Sequence, residues 1–320
     1  MMPPCGRRRG VSRALGVDSI TREVMAGRPG GRQNRRVQPS PIPAAGAELP
    51  TFGQLLRSSR GTRRLSQLQL AIEADVSQRH LSFLESGRAL PSREMVLQLS
   101  RALDLPLRER NRLLVSAGFA SVYPTRPLET ADMQPVRAAL QRLIDHHEPY
   151  PAIVVDRAWN LFMANAAVPR VFGAIGDLDA MFRHVCGTRP PNVLAILLHP
   201  DGMQPFIRNF EEVAVPLLVR TAREAVEHPH VQEVLDEVLH YPTVPARWRS
   251  LDLHQNASPL PVLPTEFAVG DQSIEVFSMM TTFGTPLDVT TDELRVESFF
   301  PADAASEALM RALASGPPAA

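Results

Sequence analysis

Between Gln67 and Leu81 the chain reads Gln67-x3-Ala71-x3-Asp75-Val76-Ser77-x3-Leu81. Residues of these types at this spacing can read DNA. Two short helices that cross closely need a small residue at the crossing, and Ala71 is one. The turn between them needs a residue that tolerates left-handed backbone, and Asp75 does. An apolar residue after the turn, Val76, plugs the core behind it. The second helix can then lie in a major groove with its N-terminal side chains on base edges. In this register Ser77, Gln78, Arg79 and Ser82 lie on or near the exposed face, and Arg88 follows the helix as a further contact. Gln suits adenine and Arg suits guanine. Gln67, at the start of the supporting helix, is placed to hold a phosphate.

No other cluster promises chemistry. His146-His147-Glu148 sits on an expected helix, where neighbours point roughly 100° apart and chelate poorly. His228-Pro229-His230 reads as a loop, and His199-Pro200-Asp201-Gly202 as a helix end and turn. A catalytic His–Asp pair would need a nucleophile and an orienting third group, and the sequence offers neither. Cys186 reads as a buried thiol. Cys5 and Cys186 are the two cysteines of the chain, too few for a disulfide framework or a four-thiolate zinc site. The expectation is therefore no catalytic residue, no metal and no enzyme.

The elements that must position the reading helix come from the surrounding pattern. Residues 51–118 read as five short helices. The first carries Phe52, Leu55 and Leu56 on one face. Ser66 can cap the second, with Gln69 three residues on as in a capping box; Leu68, Ala71 and Ile72 are its apolar stripe. Ser77 can cap the third, and Gly87 is placed to end it. The fourth buries Met95, Val96, Leu99 and Leu103. Pro106 opens the fifth, which closes near Gly118.

Charge divides the 320-residue chain more than the net value of +0 suggests. Residues 1–50 carry nine Arg against three acids, residues 51–120 eleven against six, and residues 121–320 fourteen against twenty-five. Basic stretches on an acidic body suggest that one part meets a polyanion. All 34 cations are Arg, a compositional bias that says nothing about nucleic acid by itself. Residues 1–50 read as a disordered Arg/Pro-rich tail. Residues 119–132 read as a linker. Residues 133–315 read as a mixed domain: an amphipathic helix at 133–149, strands at 151–156 and 159–165 with Asn165 capping a following helix, and several helices through 191–240. An antiparallel sheet and a closing helix follow, with a turn at Gly270-Asp271. No apolar run reaches the roughly 18–20 residues that cross a membrane. With no secretory signal visible, a cytoplasmic protein is expected.

SQLQLAIEADVSQRHLSFLESGRALPS resembles the XRE, or lambda-repressor-like, helix-turn-helix family, with Asp75 where that family often has Gly. The stretches LSFLESGRALPSREMVLQLSRALDLPLRERNRLLVSAGFASVY, HEPYPAIVVDRAWNLFMAN, LLHPDGMQPFIRNFEEVA and FSMMTTFGTPLDVTTDELRVESFFPAD resemble its MmyB-like branch, over roughly residues 51–303. The resemblance implies an all-α five-helix DNA-binding domain followed by an α+β PAS-like domain with an antiparallel sheet. It implies a structural salt bridge between Arg60 and Glu85. It also implies a small, mainly apolar ligand, such as a fatty acid, between sheet and helices, with Trp159, Phe162, Phe206, Phe277, Met279 and Phe283 as candidate lining. These six fit ordinary core packing equally well.

The expected function is a ligand-responsive, sequence-specific DNA-binding regulator. The alternative is a regulator whose second domain serves only dimerisation or protein partners. A homodimer on double-stranded DNA is expected, because one reading helix is too small an interface for selective binding. Residues 51–118 show no spare apolar face, so the second domain is the expected dimer contact.

Overall fold

A computed structural model describes residues 50–245, 248 and 262–316. The expected tail at 1–50 lies, apart from Pro50, outside the described residues.

Five helices form the first domain: α1 (Phe52–Thr62), α2 (Gln67–Glu73), α3 (Gln78–Glu85), α4 (Arg93–Ala102) and α5 (Leu107–Ser116). Side chains of Thr51, Ser66, Ser77 and Ser92 each accept a backbone N–H in the first turn, and Gln54 and Gln69 complete capping boxes on α1 and α2. These caps satisfy donors that a helix start otherwise leaves orphaned. Asp75 takes φ +49 and Gly87 takes φ +72, the left-handed positions that turn the chain into and out of α3. Leu56, Leu70, Leu81, Leu84, Val96 and Leu99 make the buried centre. Gly53 lies where α1 crosses the end of α3; a Cβ there would stand 2.6 Å from the Glu85 carbonyl oxygen.

The apolar stripe expected on α2 needs correction. Leu70 and Ala71 face the core, whereas Leu68 is 52% and Ile72 70% exposed. Leu68 and Ile72 each stand two residues from Leu70, roughly 200° round the helix, so they share the outer face. The first domain thus does carry exposed apolar side chains, contrary to expectation.

The second domain holds a five-stranded antiparallel sheet of order β2-β1-β5-β4-β3. Its strands are β1 (Ala152–Val155), β2 (Leu161–Ala164), β3 (Thr265–Val269), β4 (Gln272–Thr282) and β5 (Arg295–Pro301). Gly270, at φ +57, makes the β3–β4 turn with Asp271. α6 (Gln134–Asp145) covers one face, where Ala152, Val154, Met163 and Val296 pack with Leu140 and Ile144. The other face carries α7 (Ala167–Val171), α8 (Leu178–Cys186), α9 (Val193–Leu198), α10 (Phe210–Glu227), α11 (Pro229–Val238) and α13 (Ala304–Ser315) around the larger core. β1 is buried on both faces, which is why its sequence is an unbroken apolar run rather than an alternating one.

Asn165 does not cap α7. Its side chain accepts from Ala152 N at 3.0 Å and donates to the Ile144 and Tyr150 carbonyls at 3.1 and 2.8 Å, tying α6 to β1. The 119–132 stretch is packed against both domains. The Asn111 side chain holds Val122 and Tyr123, Val289 N donates to the Pro124 carbonyl at 2.8 Å, and Leu128 is buried. The domains dock where α5 meets α12 (Val289–Glu293): Arg108 makes a two-point pair with Glu293 at 2.6 Å on each oxygen.

Candidate nucleic-acid interface and ligand cavity

Ser77, Gln78 and Arg79 are exposed at the start of α3, and Ser82 is half-buried one turn on. The Ser77 hydroxyl accepts from His80 N at 3.1 Å, so it fixes the helix start. The Arg79 and Arg88 guanidinium groups both lie over the Phe83 ring, 5.4 and 6.0 Å from its centroid. The aromatic ring thus gathers two cations, one from the first turn of α3 and one from beyond the Gly87 turn that ends it.

Behind this face lies a polar network. Arg60 Nε and Nη2 donate to Glu85 Oε1 and Oε2 at 2.6 and 2.9 Å, and Arg60 also donates to the Leu65 carbonyl. The Gln67 amide donates to Glu85 Oε2 at 2.8 Å. Gln67, expected on a phosphate, therefore spends an amide donor inside the protein. Glu85 collects three hydrogen bonds on a side chain only 4% exposed. Burial pushes its carboxyl up, but the bonds from Arg60 and Gln67 and the charges of Arg60 and Arg57 outweigh that and hold it below the usual carboxylate range.

Between the second domain's sheet and helices lies a 190 Å3 cavity. Its walls are largely Leu, Ile, Val and Phe, with Trp159, Phe182, Met203, Phe267 and Phe299 among them and four polar residues, Arg220, Thr265, Ser278 and Glu297. Arg220 stands over the Trp159 ring, 5.5 Å from its centroid, with Glu224 3.7 Å from its Nε. Trp159 is held at φ +67, strained for a bulky side chain. Burial pushes the Glu297 carboxyl up, with Ser278 and the Arg220 charge pulling the other way.

Of the six lining candidates, Trp159 and Phe277 border this cavity, and Phe277 also stacks on Phe300 with centroids 5.6 Å apart. The other four do not. Phe162 and Phe283 pack on the far face of the sheet with α6. Phe206 packs at the edge of the main core. Met279 shares the parity of Phe277 on β4, opposite to Ile274, Val276 and Met280, but is 58% exposed and does not reach the cavity. Arg220 and Glu297 were missed. Arg220 stands in a helix and Glu297 in a strand, and only the packing turns them inward.

The remaining candidates disperse as follows. His147 Nε2 lies 2.8 Å from the Phe299 carbonyl oxygen, and Glu148 accepts from Ala167 N. His199 Nδ1 accepts from Asp201 N at 3.0 Å within a turn. The Cys186 thiol is buried and burial pushes it up. His228-Pro229-His230 is not a plain loop: it joins α10 to α11, with His230 in the first turn of α11, and the fold brings Glu293 beside it.

A helix-turn-helix joined to a cavity-bearing α+β domain defines a DNA-binding transcription regulator with a ligand-binding domain. The chain matches the family model of the MmyB-like transcription regulator ligand binding domain over residues 136–313, and that of a helix-turn-helix domain over residues 51–113. It belongs to the MmyB-like transcription regulators. Both matched families are regulator domains rather than enzymes. No curated protein matches the chain. Among the described residues no helix is long and apolar enough to cross a membrane.

Proposed function

We propose that this regulator reads bases with Gln78 and Arg79 and answers to a small, mainly apolar molecule held in the 190 Å3 cavity. The cavity is the observation that carries the reading. Its walls are apolar apart from a few groups, and Arg220 offers a guanidinium to one anionic end of a ligand. A fatty acid has that chemistry. The volume is below the roughly 300–1,000 Å3 of pockets for drug-sized ligands, which favours a short chain. The strain at Trp159 supports a binding role, since strained residues gather at ligand clamps. The 2-1-5-4-3 strand order supports the PAS-like reading.

Mass spectrometry of small molecules extracted from the purified, denatured chain tests this. A reproducible apolar acid, reduced in an Arg220→Ala variant that melts like wild type, is the expected result. No extracted molecule, together with no melting shift from short- and medium-chain fatty acids, would leave the cavity as mere packing.

The protein acts in the cytoplasm as a homodimer, with two reading helices ~34 Å apart on DNA. Exposed apolar residues in both domains, Leu68 and Ile72 in the first and Val226 and Leu287 in the second, offer surface for a partner copy. Ligand alters the dimer only by binding its two arrangements with different affinity. Light scattering of the full chain, with and without operator DNA, reads the oligomer directly.

A further inference from the structure

His228 stands at the junction of α10 and α11 and is 1% exposed. Its Nδ1 is buried and has no hydrogen-bond partner, and neither does the buried Nε2 of His230. The two rings meet edge to face, with centroids 5.6 Å apart. Glu293, the last residue of α12, brings its Oε1 to 3.8 Å from His230 Nε2. One donor atom from each of the three residues lies within 4.8 Å of the other two.

We propose that His228, His230 and Glu293 form a site for a divalent transition ion of the zinc class, and that the ion competes with Arg108 for Glu293. Two imidazoles and one carboxylate are a donor set that suits zinc, with one position left for water. Around a tetrahedral ion with bonds of about 2.0–2.1 Å, donors stand about 3.3 Å apart. The present spread must therefore tighten, and release of Glu293 from Arg108 frees the carboxylate to swing inward. Arg108, Arg157 and Arg295 surround His228; Glu224 pairs with Arg295, Asp292 lies 3.9 Å from Arg157 and Asp156 faces His230, so Arg108 is the cation that loses its carboxylate when the ion takes Glu293. The freed Arg108 charge then opposes the dication, which is why its removal should favour binding. An 860 Å3 crevice between the domains, lined by Arg108, Pro229 and His230, gives the ion a path from solvent.

Arg108 belongs to α5 of the DNA-binding domain and Glu293 to the second domain. An ion that takes Glu293 removes the two-point pair that docks them. The coupling is reciprocal: whatever strengthens docking weakens the ion's hold.

Titration calorimetry of the full chain with zinc chloride tests the site. One equivalent is expected to bind. His230→Gln and Glu293→Gln should each weaken it at least about tenfold, since loss of even an outer-shell partner costs that much. Arg108→Gln should strengthen it. His230, on the crevice, carries the test because replacing the buried His228 endangers the fold; each variant's melting curve checks its integrity. Zinc should also speed hydrogen exchange at the start of α5 in wild type and not in His230→Gln. No binding by wild type, or equal binding by His230→Gln, overturns the site. Unchanged affinity in Arg108→Gln, or unchanged exchange at α5, overturns the competition.

Discussion

Arg60 and Glu85, 25 residues apart, form a two-point pair that locks the first helix of the helix-turn-helix domain onto the last turn of α3. The Glu85 side chain of the pair is only 4% exposed. The pair keeps the end of α3 fixed relative to α1, and Gly53 lets the two helices approach closely enough for it to form.

Glu85→Ala should destabilise the first domain by up to ~3–5 kcal/mol, because the part-buried Arg60 guanidinium loses its carboxylate and keeps only the Leu65 carbonyl. A domain with ~5–15 kcal/mol in hand should melt much earlier. The same pair sets an acid response. The folded Glu85 carboxyl titrates below its unfolded value of about 4.3, so its contribution is complete above that pH and is lost as pH falls through the folded value. Melting curves across the acid range check both, and wild-type stability in Glu85→Ala would mean that solvent already screens the pair.

Gln67→Ala should act on the same network. Loss of its hydrogen bond to a carboxylate costs ~1.5–3 kcal/mol of stability. If the amide instead served a phosphate alone, the variant would keep its melting temperature and lose affinity for all sequences, with a shallower salt dependence. A melting curve beside a salt titration separates the two.

Gln78→Ala and Arg79→Ala should each relax preference at one base pair, at ~1–3 kcal/mol for a lost bidentate contact. Selection of bound sequences from a random pool reads this. Unchanged preference in both variants would mean that the exposed start of α3 lies off the base edges.

Glu297→Gln should stabilise the second domain increasingly as pH rises. The buried carboxyl has a folded pKa raised above its unfolded value, mainly by desolvation. Its neutral form is held without penalty below pH ~4.3, and that favourable state is lost as pH rises through the folded value. Gln does not titrate, so the variant should melt like wild type in acid and later than wild type in mild alkali. A constant difference across pH would show that the carboxyl is solvated in the cavity wall.

Much of the DNA-binding domain can be read along the chain. Ser66, Gln69, Ser77 and Gly87 act within one or two turns of where they stand, so local rules suffice to place the caps and the turn. Strand and helix order in the second domain is legible for the same reason, from β-branched runs and the break at His228. Leu68 and Ile72 mark the limit. On a seven-residue helix two apolar faces fit the sequence, and only packing against α3 and α4 decides which is buried.

The sequence by itself determined two linked domains, a helix-turn-helix with Gln78 and Arg79 at its tip, and a family. Tertiary structure decided where the buried charges go. Gln67 came to donate to Glu85, Arg220 and Glu297 turned into an apolar cavity, and Glu293 came to lie beside a His-Pro-His segment 63 residues earlier in the chain. The physical reason is range. Caps and turns form between neighbours, whereas a buried charge depends on partners that only the closed fold brings within a few ångströms, and no periodicity in the chain records that distance.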